Sequence, residues 1–86
     1  MKVYNVVVTP SAKGDLDGVF SAETPAVVLQ LYEGMKALAS VPFRHPVVRD
    51  EHWAKVGFRM FVVDGFRVYY LIDGDRVVVC RVLKFD

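Results

Sequence analysis

Three arginines stand where chemistry could be done. Arg59, Arg67 and Arg81 each lie inside an apolar run, which is not where a solubilising surface arginine normally falls. Alternation along an extended strand groups Arg59 with Phe61 and Val63, Arg67 with Tyr69 and Leu71, and Arg81 with Val79 and Leu83. A planar guanidinium matches two phosphate oxygens at once, so Arg59 and Arg67 together form a candidate anion clamp. The competing reading is an arginine that pairs with a carboxylate or with backbone carbonyls. For Arg81, between apolar neighbours, that structural reading is the expected one.

The other reactive residue types give weaker leads. His45 and His52 are seven residues apart in an irregular stretch, a spacing that matches neither a zinc helix nor a finger, so no metal and no cofactor is expected. His52 has the side chain whose free pKa suits a general base near neutrality, although a solvated loop histidine is the plainer reading. Trp53 could stack on a base or simply anchor its loop. Cys80 follows Val77-Val78-Val79 and reads as a buried, inert thiol. No Gly-rich phosphate loop, Ser-His-Asp arrangement or nucleophile elbow occurs.

The elements that must position these residues are announced by turn chemistry. Residues 57–85, GFRMFVVDGFRVYYLIDGDRVVVCRVLKF, read as three strands joined by two tight turns. Asp64-Gly65 suits a two-residue hairpin turn with positive φ at its centre, and Asp73-Gly74-Asp75 repeats the device. Upstream, residues 2–8 form a first strand whose nearly continuous apolar character suggests an interior position. Thr9-Pro10 and Thr24-Pro25 are helix-start signals, a capping hydroxyl followed by proline at the first helical position. The first helix is expected over 11–19, with Asp15 and Asp17 facing water. The second carries Val28, Leu31, Met35 and Leu38 on one stripe and ends near Ser40, before Pro42.

The whole is an α+β domain: an N-terminal strand, an α-hairpin, then a three-stranded antiparallel meander, forming one curved sheet with helices on one face. A chain of 86 residues makes a single domain, 1–86. The formal charge of +1 is far from that of a dedicated nucleic-acid binder. No leader segment and no membrane-length apolar run is seen, so a cytoplasmic protein is expected. A small sheet that is apolar on both faces has helices for only one of them, so the other face and any free edge would suit a partner segment. The isolated chain is therefore expected to self-associate, as a homodimer when its partner is absent.

At these residues the sequence resembles the RelE/ParE superfamily of type II toxin–antitoxin toxins. The resemblance rests on GFR, then VV-D-G-FRVYY, a turn, and VVVC-RVL, together with the Thr-Pro-Ser-Ala-Lys-Gly-Asp-Leu entry to the first helix and the Leu38–Pro42 close of the second. It implies a cognate antitoxin and one of two activities, of which messenger RNA cleavage is the expected one and gyrase binding the alternative. RelE-like members are metal-free ribonucleases that cut messenger RNA, commonly within the ribosome, whereas ParE-like members bind DNA gyrase without catalytic residues. An inert, antitoxin-binding member is the third possibility.

For a ribonuclease the resemblance places Arg59 and Arg67 on the scissile phosphate, with Lys84 assisting. In-line attack by a ribose 2′-hydroxyl builds negative charge there, and fixed cations stabilise it without reorganising. Tyr69, Tyr70 or His52 would move the proton. Phe61 stands where many nucleases of the family carry a second lysine.

Overall fold

A computed structural model describes residues 2–49 and 55–85. The chain folds in the order β1 (Asn5–Val8), α1 (Pro10–Ala22), α2 (Pro25–Ala37), a 3₁₀ turn (Pro42–Arg44), β2 (Arg59–Val63), β3 (Phe66–Asp73) and β4 (Arg76–Lys84). One four-stranded sheet runs β1-β4-β3-β2. β2, β3 and β4 form an antiparallel meander, while β1 joins β4 in parallel. The sheet is therefore mixed, and the predicted α+β arrangement of strand, α-hairpin and meander is the one observed.

Local chemistry explains most boundaries. At the β2–β3 turn, Asp64 and Gly65 adopt φ of 47° and 82°, the left-handed pair that such a hairpin turn requires. Thr9 accepts from the Ala12 N–H at 3.2 Å and donates to the Cys80 carbonyl at 3.1 Å, so one hydroxyl caps α1 and ties it to β4. Thr24 caps α2 by accepting from the Val27 N–H. Both prolines occupy the first helical position, and α1 runs further than expected, to Ala22, despite Gly14 and Gly18.

Two features differ from the sequence reading. β1 is an edge strand with exposed ends, not an interior one. Its apolar run reflects partial cover of Val6 by the core; apolar continuity measures how many faces are covered, not how many strands flank it. Asp15 does not face water. Its carboxylate receives the Arg81 guanidinium at 2.8 and 3.0 Å and the Val82 N–H at 2.9 Å, because α1 lies along the part of β4 that β1 leaves unpaired.

The core fills the space between the hairpin and one sheet face. Ala12, Leu16 and Val19 of α1 and Leu31 and Met35 of α2 meet Val68, Tyr70, Val77, Val79 and Val82. Gly34 permits the closest approach, since a Cβ built there would sit 2.8 Å from the Phe61 ring. A β-bulge interrupts the β3–β4 register: Tyr69 faces Arg81 while Tyr70 faces Val79, leaving Cys80 without a partner across the ladder. The extra residue resets the alternation, so that Val77, Val79 and Val82 are all buried.

Candidate functional site

Cross-strand partners share a sheet face, and the register decides where each arginine goes. Arg59 pairs with Tyr70, which is fully buried beneath the helices, and Val62 pairs with Arg67. Arg59 and Arg67 therefore leave from opposite faces. The two-arginine phosphate clamp is not assembled, and this is the principal correction to the sequence reading.

Arg59 is held by the segment after α2. Its Nη1 donates to the His45 carbonyl at 2.6 Å and more weakly to that of Phe43 at 3.5 Å, and its guanidinium lies 5.1 Å from the centre of the Phe43 ring. The strap continues through a bridge between Val47 and Arg59 and bonds from Met60 N–H to Pro46 and from Val48 N–H to Phe58, which cover the outer edge of β2. Tyr70 belongs to the same knot. Its hydroxyl donates to the Pro42 carbonyl at 2.7 Å, and burial raises its pKa, outweighing the opposing pull of the Arg59 charge. A phenol so occupied is not placed to carry a proton to a substrate.

His45 stacks on Phe61 with centroids 4.9 Å apart and meets the Tyr70 ring edge-on at 6.4 Å. Burial, reinforced by the neighbouring Arg44 charge, lowers its pKa from 6.5. Lys84 points to the helix side, where its Nζ reaches Glu23 at 3.3 Å; it shares that face with Phe66, its partner in register. His52 and Trp53 lie outside the described residues. Among the described residues no group of three or more His, Cys, Asp or Glu side chains is placed to hold a metal ion.

Arg81 behaves as the structural reading expects, forking onto Asp15. Its grouping with Val79 is corrected by the bulge, which sets it opposite Tyr69 instead. Burial on its own would raise the Asp15 pKa, but the Arg81 fork and the Val82 N–H outweigh it and hold the carboxyl below 3.8. Arg67 is exposed on the open face, its guanidinium 4.7 Å from the centre of the Phe85 ring.

Two surfaces were not legible as sites in the sequence. On the outside of the α-hairpin, Phe20, Leu29 and Tyr32 are exposed beside Val8 of the free β1 edge, and the rings of Phe20 and Tyr32 are 5.7 Å apart. The stripe rule finds the buried side of a helix and is silent about apolar residues off it. At the other end of the hairpin, Lys2, Tyr4, Phe43 and Arg44 converge, although some forty residues of sequence separate the two halves. Among the described residues no helix is long and apolar enough to cross a membrane.

The fold and its edges can be set beside known proteins. A ParDE toxin–antitoxin system from Pseudomonas aeruginosa superposes with a TM-score of 0.76 at 18% identity, covering 98% of both chains. The RelBE2 toxin–antitoxin complex from Mycobacterium tuberculosis gives a TM-score of 0.77 at 25% identity, covering 96% of this chain and 99% of that one. A conserved protein from Helicobacter pylori gives 0.61 at 18% identity, over 94% and 93% of the two chains. No curated protein matches in sequence. The family model described as the ParE toxin of type II toxin–antitoxin system, parDE, matches residues 6–84. A match over almost the whole length of the chain, on a fold shared with toxins of both kinds, places this protein in the ParE toxin family of the RelE/ParE superfamily.

Proposed function

We propose that this chain is a toxin that acts by binding its target, in the manner of gyrase-binding ParE-like members, and that an antitoxin neutralises it by covering the outside of the α-hairpin. The observation that carries the first half is the dispersal of the ribonuclease groups. Arg59 and Arg67 leave from opposite faces; Tyr70 is fully buried; Lys84 is tied to Glu23 on the helix side. Preorganised charge stabilisation requires donors that converge on one developing oxyanion, and these four do not converge.

The second half rests on exposed apolar surface. Phe20, Leu29, Tyr32 and Val8 are each more than two-fifths exposed, and contiguous apolar surface of this kind marks interaction sites. The pairing of toxin with antitoxin in the Pseudomonas and Mycobacterium relatives supports a protein occupant.

Messenger RNA cleavage is the second reading, favoured by Arg67, an exposed guanidinium braced on Phe85. Induction of the chain alone separates the two. The binding reading expects growth arrest with intact transcripts, inhibited supercoiling by purified gyrase, and arrest that survives Arg67→Ala. Transcripts cut within codons, with cutting and arrest both lost in Arg67→Ala, would overturn it in favour of the ribonuclease.

A further inference from the structure

We infer that the groove between the N-terminal segment and the 3₁₀ turn binds a nucleoside phosphate, free or as one unit of a single strand. The groove encloses about 390 Å³, within the range of small-ligand sites, which runs from about 300 to 1,000 Å³. It is lined by Lys2, Tyr4, Ser40, Val41, Phe43 and Arg44, with Pro42 as its buried floor. Two cations line it and no carboxylate does, in a chain whose acids nearly equal its bases in number.

Rings and cations are interleaved along it. Lys2 Nζ lies 4.9 Å from the centre of the Tyr4 ring, Tyr4 meets Phe43 edge-on at 6.2 Å, and Arg59 lies over Phe43 at 5.1 Å. The Phe43 side chain nevertheless remains open to solvent, the residue being 59% exposed. Arg59 is held by the His45 carbonyl, so its guanidinium backs the Phe43 ring from a fixed position. An aromatic platform flanked by cations is the arrangement that takes a base on its π-face and a phosphate on its charges. Neither Lys2 nor Arg44 forms an ion pair among the described residues. This site is separate from the hairpin surface and the open sheet face, and it does not depend on the proposal above.

The test uses the full chain and three probes: a fluorescent oligouridylate, AMP, and inorganic phosphate. Phe43→Leu is expected to weaken oligouridylate binding about 5- to 150-fold, the usual cost of losing one stacked base, while Phe43→Tyr retains it. Lys2→Gln with Arg44→Gln is expected to flatten the dependence of log affinity on log salt by about 1.4, two phosphate contacts at about 0.7 each. Lys13→Gln, on α1, serves as the charge control. Unchanged melting temperatures in all variants keep the comparison about binding. Tighter binding of AMP than of phosphate supports the site. Equal binding of AMP and phosphate, losses no greater in the groove variants than in Lys13→Gln, or no binding of any probe at low salt would each overturn it.

Discussion

Asp15 offers the sharpest test of how the helical layer is fastened to the sheet. β1 pairs with β4 only as far as Val79, and beyond it the Val82 N–H would meet α1 without a strand partner. The Asp15 carboxylate supplies the acceptor at 2.9 Å and takes the Arg81 fork as well. These two roles differ in weight. The Arg81 side chain is 46% exposed, so the ion pair is screened by water and is the lesser of the two. The Val82 N–H is part-buried, and leaving such a donor without an acceptor costs about 1–3 kcal/mol.

Asp15→Ala should therefore cost roughly 2–3 kcal/mol, which for a domain of this size lowers the melting temperature by about 8–24 °C. Asp15→Asn keeps an acceptor for Val82 and should cost clearly less than Asp15→Ala, and so should Arg81→Ala. The pH dependence gives a second axis. The folded-state pKa lies below the unfolded value, so this contribution is complete above about pH 4 and is lost as pH falls through the folded pKa. Asp15→Asn should flatten that acid limb. The measurement is thermal or denaturant unfolding of all three variants between pH 2 and 7. If Arg81→Ala cost as much as Asp15→Ala, the ion pair and not the backbone donor would hold α1, and the reasoning would be wrong.

Two further expectations follow from named contacts. Gly34→Ala places a methyl 2.8 Å from the Phe61 ring, so it should destabilise by about 1 kcal/mol even though alanine normally gains about that much in a helix. Gly14→Ala meets nothing within 4 Å and should stabilise by about 0.5–1 kcal/mol, and calorimetry of the pair checks the difference in sign. His45 has a folded pKa below 6.5, so its neutral form is the folded one and its contribution, complete above about pH 6.5, falls away in acid as the folded pKa is crossed. His45→Gln should remove that part of the decline between pH 7 and 5 in denaturant titrations.

Much of the fold was written in its punctuation. Thr-Pro twice and Asp-Gly followed by Asp-Gly-Asp set two helices and three strands, and the capping hydroxyls of Thr9 and Thr24 do what their positions implied. The fate of the arginines was legible too. A two-residue turn at Asp64-Gly65 makes Val63 face Phe66, and counting outward sets Arg67 against Val62 and Arg59 against Tyr70. Opposite faces follow from that count, which alternation within each strand taken separately does not reveal.

The bulge at Cys80 was not legible. Nothing in VVVCRVL distinguishes the residue that drops out of the ladder, and the shift is imposed by α1, whose Thr9 and Asp15 claim the backbone at Cys80 and Val82. The groove at Phe43 was hidden for a related reason. Its halves meet only because β1 runs in alongside the end of α2, where the Tyr4 N–H donates to the Ala39 carbonyl at 2.7 Å.

The parallel pairing of β1 with β4 also governs when this molecule can exist. β4 sits between β1 and β3, yet it follows both in the chain, so β1 must wait for it. Until then Val77, Val79 and Val82 are missing from the interior, and the hairpin has only part of its surface to settle on.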